Sequence, residues 1–83
     1  MSYTVRLTST ALEQIKKLDP EIQRQTAMML EELAMNPRLN TAEKLEDTEP
    51  LYKIRLGEYC IIYQIKDESM LVTVVKVAHP RDY

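Results

Sequence analysis

Tryptophan and phenylalanine are absent, and glycine, cysteine and histidine occur once each. Each shortage removes a class of answer. A single cysteine forbids an internal disulfide framework, and one cysteine with one histidine forbids a Cys/His zinc site. No apolar stretch approaches membrane-spanning length, and no basic leader precedes an apolar run at the start. A reducing, cytoplasmic setting is therefore expected. Neither sign of charge dominates. The formal net charge is −2, which argues against strong non-specific attraction to nucleic acid. Nor is there a basic half: residues 1–35 carry four Lys/Arg against five Asp/Glu, and residues 36–83 carry seven against eight. Any nucleic-acid site has to be a local patch.

What is present suits one small unit. Eighty-three residues leave no room for a second core, so residues 1–83 are expected to form a single domain. A chain of this size buries only about 60% of its unfolded surface, so a partner can add much to its stability. The apolar share of 45% is ordinary, and the aromatics are confined to five tyrosines.

Residues 3–8, YTVRLT, alternate well enough for a first strand. Thr10 and Glu13 make an S/T-x-x-E capping signature, and Leu12, Ile15 and Leu18 supply a helical stripe that ends near Leu18. Asp19-Pro20 restarts the chain with an N-cap acceptor and a residue suited to the first helical position. Ile22, Thr26, Met29, Leu30 and Leu33 then share one face of a second helix, which Asn36-Pro37 stops. Residues 38–50 read as a polar, acidic connection without strong periodicity. Leu51–Leu56 and Tyr59–Lys66 flank Gly57-Glu58, a two-residue loop with glycine first, as a type II′ hairpin requires. Asp67-Glu68-Ser69 turns into a valine-rich strand over 70–78. The expected fold is α+β in the order β-α-α-β-β-β, a two-helix hairpin packed on one face of a small antiparallel sheet. The other face is left partly open.

Alternation along the first hairpin strand places Lys53 and Arg55 on one side and Tyr52, Ile54 and Leu56 on the other. With the apolar set under the helices, the two cations lie on the open face about 7 Å apart. That spacing suits two neighbouring phosphates, or one approached from two sides. The plain alternative is a pair of solvated strand charges. His79 precedes a proline and has the imidazole of a general acid or base, or it serves as a loop residue bonded to a backbone carbonyl. Tyr59 and Tyr63 alternate onto the face of Ile61 and Ile65 and read as structural. Cys60 reads as a small apolar filler in a strand rather than a nucleophile. Met28 and Met35, if exposed, suit an adaptable apolar surface for a partner helix. The acidic run from Glu43 to Glu49 reads as a solvated loop, but close to Lys53 it would repel RNA.

The element order, LYKIRLGEYCIIYQI at 51–65, VTVVKVAH at 72–79 and the closing HPRDY together resemble the RelE/ParE toxin superfamily, on its RelE side. NPR at 36–38 and AEKLEDTEPLYKIRLGEY at 42–59 follow that family's order, so the resemblance covers nearly the whole chain. It implies the toxin of a type II toxin–antitoxin system: a metal-free, ribosome-dependent mRNA endonuclease, without cofactor, held by a cognate antitoxin. In such chemistry the ribose 2′-hydroxyl attacks the adjacent phosphate and the 5′-oxygen leaves. It needs a base, an acid and positive charge on the phosphorane. By resemblance, Lys53 matches a lysine that acts as base or electrostatic stabiliser, and Arg55 the next basic position. Arg81 falls near an arginine associated with protonating the leaving group. Tyr83 is a weaker match to a tyrosine that stacks on the substrate base.

Departures from the family pattern set limits. Tyr59-Cys60 stands where Tyr-Arg is usual, and a thiol cannot supply a guanidinium's fixed charge and forked donors. Losing one such donor commonly costs about a hundredfold or more in rate. Pro80 interrupts the usual basic ending, and the net acidity is atypical of ribosome-dependent members. The expectation is thus a RelE-like toxin with a weakened site. The alternatives are a ParE-like toxin that inhibits DNA gyrase without cutting RNA, or an inert relative that titrates antitoxin.

Overall fold

The computed structural model describes residues 2–45 and 51–79. They form β1 (Thr4–Leu7), α1 (Ser9–Lys16), α2 (Pro20–Met35), β2 (Glu43–Lys44), β3 (Leu51–Leu56), β4 (Tyr59–Lys66) and β5 (Leu71–Ala78). All six expected elements are present. β2 is an addition, a two-residue edge strand within the stretch read as an aperiodic connection.

The sheet runs β1-β5-β4-β3-β2. β3, β4 and β5 form the expected antiparallel meander. β1 instead joins β5 in parallel, with Thr4 opposite Leu71 and Leu7 opposite Val74, so the sheet is mixed rather than purely antiparallel. Parallel pairing needs a long crossover, and the helix pair lies within the stretch of chain that joins the two strands. Gly57 has φ +60°, whereas Glu58 keeps a negative φ, which is the type II′ pattern.

The helix starts differ from the capping expectations. Thr8, not Thr10, caps α1: its hydroxyl accepts from the Ala11 amide at 3.1 Å. The same hydroxyl donates to the Val75 carbonyl at 2.7 Å. Pro20 opens α2 as expected, but the Asp19 side chain makes no capping hydrogen bond. Thr8 reaches Val75 because Val75 is an extra residue. Ile62 pairs with Lys76 and Tyr63 with Val74, so β5 carries a bulge between them. Strict alternation from Val72 and Val74 would have driven Lys76 under the helices. The bulge turns Lys76 outward and Val77 inward, and the Val77 amide donates to the Gln14 side-chain Oε1 at 2.7 Å.

The core lies between the helices and one sheet face. Ala11 and Leu33 meet Ile54, Ile61, Tyr63, Ile65, Val72, Val74 and Val77, all buried. Each large member contributes about 1.5–3 kcal/mol by leaving water. Outside this set Thr26 is the one buried polar side chain among the described residues, and it donates to the Ile22 carbonyl at 2.8 Å.

A polar clasp closes the end of the sheet near the β4–β5 turn. Arg38 donates to both carboxylate oxygens of Asp67, at 3.0 and 2.8 Å, and to the Tyr52 hydroxyl at 3.1 Å. The Tyr3 hydroxyl donates to Asp67 at 2.6 Å. Hydrogen bonds from Arg38 and then Tyr3 hold the Asp67 carboxyl down to about 2. Asp67 and then Tyr52 push the Arg38 guanidinium up in turn. Behind them Tyr52 stacks on Tyr63 with centroids 5.8 Å apart, and the Tyr63 hydroxyl donates to the Pro37 carbonyl at 2.7 Å. Burial, with a smaller contribution from Tyr52, pushes the Tyr63 phenol up to about 12. The exit of α2 is thereby fixed to the sheet.

Candidate functional site

Alternation and register assign every strand residue to a face. On β3, Ile54 is buried beneath the helices, while Lys53 and Arg55 point to the opposite, uncovered side. Continuing across the sheet, Arg55 lies opposite Cys60 and Cys60 opposite Ala78; Lys53 lies opposite Ile62 and Ile62 opposite Lys76. At the near edge Glu43 pairs with Lys53, and at the far edge Arg6 pairs with Thr73. The strand residues of this face therefore carry Arg6, Lys53, Arg55, Lys66 and Lys76 against Glu43, the one carboxylate among its described residues. In a chain of net charge −2, basic charge is concentrated on this side. Antiparallel and parallel pairing achieve this without any basic run in the sequence.

Thr41, Glu43, Lys53, Arg55 and Cys60 line a shallow concavity of about 190 Å³ on that face. The Lys53 ammonium is 3.6 Å from the Glu43 carboxylate, and its side chain is about one-third exposed (32%). The exposed Arg55 uses its Nε to donate to the Gly57 carbonyl at 3.1 Å, which holds the guanidinium along the hairpin. Cys60 is buried at the floor of the concavity, facing Arg55 across the ladder. Such a bowl, with two cations on its wall and a small uncharged side chain at its base, has the chemistry of an oxyanion receptor.

His79 does not join this group. Because Ala78 pairs with Cys60 on the uncovered face, the next residue falls to the helix side. There its ring meets Tyr59 edge-on, with centroids 5.9 Å apart and planes at 89°. Tyr59 in turn packs on the core, and Tyr63 is fully buried, as their alternation requires. Arg81 and Tyr83 lie outside the described residues. Met28 and Met35 are exposed on α2, at 58% and 74%.

A family model described as the ParE toxin of type II toxin–antitoxin systems matches residues 5–82. The chain belongs to the RelE/ParE toxin superfamily. Its curated relatives carry RelE-type names. It is 33% identical over 79 residues to the mRNA interferase toxin RelE of Escherichia coli K12, covering 93% of this chain and 82% of the relative. It is 31% identical over 86 residues to toxin RelG of Mycobacterium tuberculosis, covering 99% and 95%. Among solved structures, the RelBE2 toxin–antitoxin complex of M. tuberculosis superposes with a TM-score of 0.83 at 31% identity, over 95% of this chain and 99% of that one. The mixed sheet with two helices is thus a RelE-type toxin fold.

Sequence reading placed only Lys53 and Arg55 on this face; Arg6, Lys66, Lys76 and Thr41 were not assigned to it, and Glu43 was read only as part of an acidic run. Lys76 was hidden by the bulge at Val75, whose carbonyl accepts from Thr8. Glu43 enters through β2, whose two residues are too few to show a period, and Thr41 from the turn just before it. The only forewarning was the acidic run preceding Lys53.

Proposed function

We propose that this chain is the toxin of a type II toxin–antitoxin pair and cuts messenger RNA on the ribosome, with Lys53 and Arg55 holding the scissile phosphate. The observation that carries this reading is the side-by-side placement of those two cations over a concavity on the uncovered face. Names of the relatives at 31–33% identity, an mRNA interferase among them, support the RNA target over DNA gyrase.

In this mechanism the ribose 2′-hydroxyl passes its proton to the Lys53 amine, the base that the resemblance implies, as its oxygen bonds to phosphorus. The P–O5′ bond then breaks and the 5′-oxygen takes up a proton, leaving a 2′,3′-cyclic phosphate. The phosphorane carries one negative charge more than the phosphodiester it forms from, and Lys53 and Arg55 meet that charge as it develops. The guanidinium stays charged throughout and serves only as a clamp. Lys53, once it has taken that proton, adds its own positive charge to the clamp on the phosphorane. Arg81 and Tyr83 keep the roles of leaving-group acid and base-stacking platform. His79, on the other side of the sheet, takes no part in this scheme and supports Tyr59 instead.

A cognate antitoxin completes the system. Exposed Met28 and Met35 offer it an adaptable apolar surface on α2. The setting is the cytoplasm, where ribosomes are; none of the described helices is long and apolar enough to cross a membrane. Expression of the chain alone should arrest growth, and mapping of 5′ ends should show new cuts within codons of translated messages. DNA damage with intact messages would instead indicate gyrase, and unhindered growth an inert relative.

A further inference from the structure

Glu43 is left over from the mechanism just described. It is the one carboxylate among the described strand residues of the basic face, and it stands against the residue that matters most there, with Oε2 3.6 Å from Lys53 Nζ. Its position is dictated by the backbone: β2 pairs with β3 so that Glu43 is directly opposite Lys53, on the same side and at the rim of the same concavity. Cross-strand neighbours of opposite charge attract, and an anion arriving at Lys53 meets that carboxylate first. The pair is not a structural requirement. The Glu43 side chain is 69% exposed, and ion pairs of this kind add little to stability.

We propose that Glu43 sets the affinity of the concavity for phosphate, by neutralising one of its two cations and repelling the incoming anion. It is an affinity-determining residue of the proposed substrate site, and the inference rests on that site being a phosphate receptor. Among the described residues, the lining carries two cations against one carboxylate. A phosphodiester held elsewhere by the ribosome can displace Glu43, whereas a free phosphate or a stray RNA segment gains little. The carboxylate thereby discourages binding away from the proper context.

The test is titration of the protein with inorganic phosphate, followed by the backbone amide NMR signals of residues 41–43, 53–55 and 60. Glu43→Gln keeps the side chain's size and removes its charge, and Glu31→Gln on exposed helix surface serves as a control. Glu43→Gln should bind phosphate about fivefold more tightly than the parent, with a steeper dependence on salt, while Glu31→Gln changes nothing. Lys53→Gln should abolish the saturable shifts. Equal affinity in parent and Glu43→Gln, with loss in Lys53→Gln, would overturn the role of Glu43 and leave the receptor standing. Weaker binding in Glu43→Gln would overturn it too, since the carboxylate would then be organising the site. Absence of saturable shifts in both parent and Glu43→Gln would bring down the receptor itself.

Discussion

Ile62 and Tyr63 are consecutive residues of one strand, yet they belong to regions built on opposite rules. Around Tyr63, on the covered face, apolar side chains interlock, and the Tyr63 hydroxyl is tied to the Pro37 carbonyl. Around Ile62, on the uncovered face, long cations surround a small apolar floor of Cys60, Ile62 and Ala78, each only 5–6% exposed. One side of the sheet excludes water from the fold, and the other carries the charge that the proposed mechanism offers to an anion. Stability and function are thus separated by a 180° alternation, and substitutions on the two sides should read out differently.

The largest effect on stability is expected from Tyr63→Ala. Deleting a fully buried ring should cost about 3–5 kcal/mol in denaturant unfolding, a large part of the stability of a domain this size. Pairing Lys53→Ala with Arg55→Ala should do the reverse. Cleavage of messages should fall by about a hundredfold or more, whereas the unfolding free energy should move by only about 0.5 kcal/mol per site. If that double variant unfolded as readily as Tyr63→Ala, the separation of the two faces would be lost.

Cys60→Arg probes the boundary between them. It would add a third cation to the concavity, but at a buried position and directly across from Arg55. Phosphate should bind more tightly, and stability should fall by about 1–3 kcal/mol through overpacking and like-charge opposition. A gain in binding without loss of stability would mean that the strand accepts a large residue there. Tyr63→Phe is milder: removing the hydroxyl leaves the Pro37 carbonyl without that donor, for a loss of about 1–3 kcal/mol.

The smallest effects are those of pH, and the signs are opposite for the two groups. Asp67 is depressed to about 2 in the fold, so its contribution is present above the unfolded value near 4 and lost as pH falls toward 2. Melting temperatures should therefore fall more steeply over that window in the parent than in Asp67→Asn. Tyr63 is raised to about 12, so its contribution is present below about pH 10 and lost as pH rises to 12. Tyr63→Phe should remove that alkaline component.

How much of this was legible in the chain depended on whether a feature was local. Gly57-Glu58 specifies its own turn, and the alternation of Lys53 with Ile54 specifies its own facing, so the hairpin and its cations could be read directly. Lys76 could not, because its facing depends on a bulge in the pairing of β5 with β4, which no local pattern announces. His79 was read by its chemistry, but the phase of β5 carries it to Tyr59. The parallel docking of β1 and the clasp of Arg38 on Asp67, 29 residues apart, are products of tertiary packing that no local pattern announces.

Programmed ribosomes offer the most direct check that the uncovered face handles a message's phosphates. With a defined codon in the decoding site, purified toxin should produce a cut within that codon without added metal, ending in a 2′,3′-cyclic phosphate. The Lys53→Ala/Arg55→Ala protein, melting within a few degrees of the parent, should leave the message whole. A message cut equally fast by both proteins, or left intact by the parent, would contradict the account.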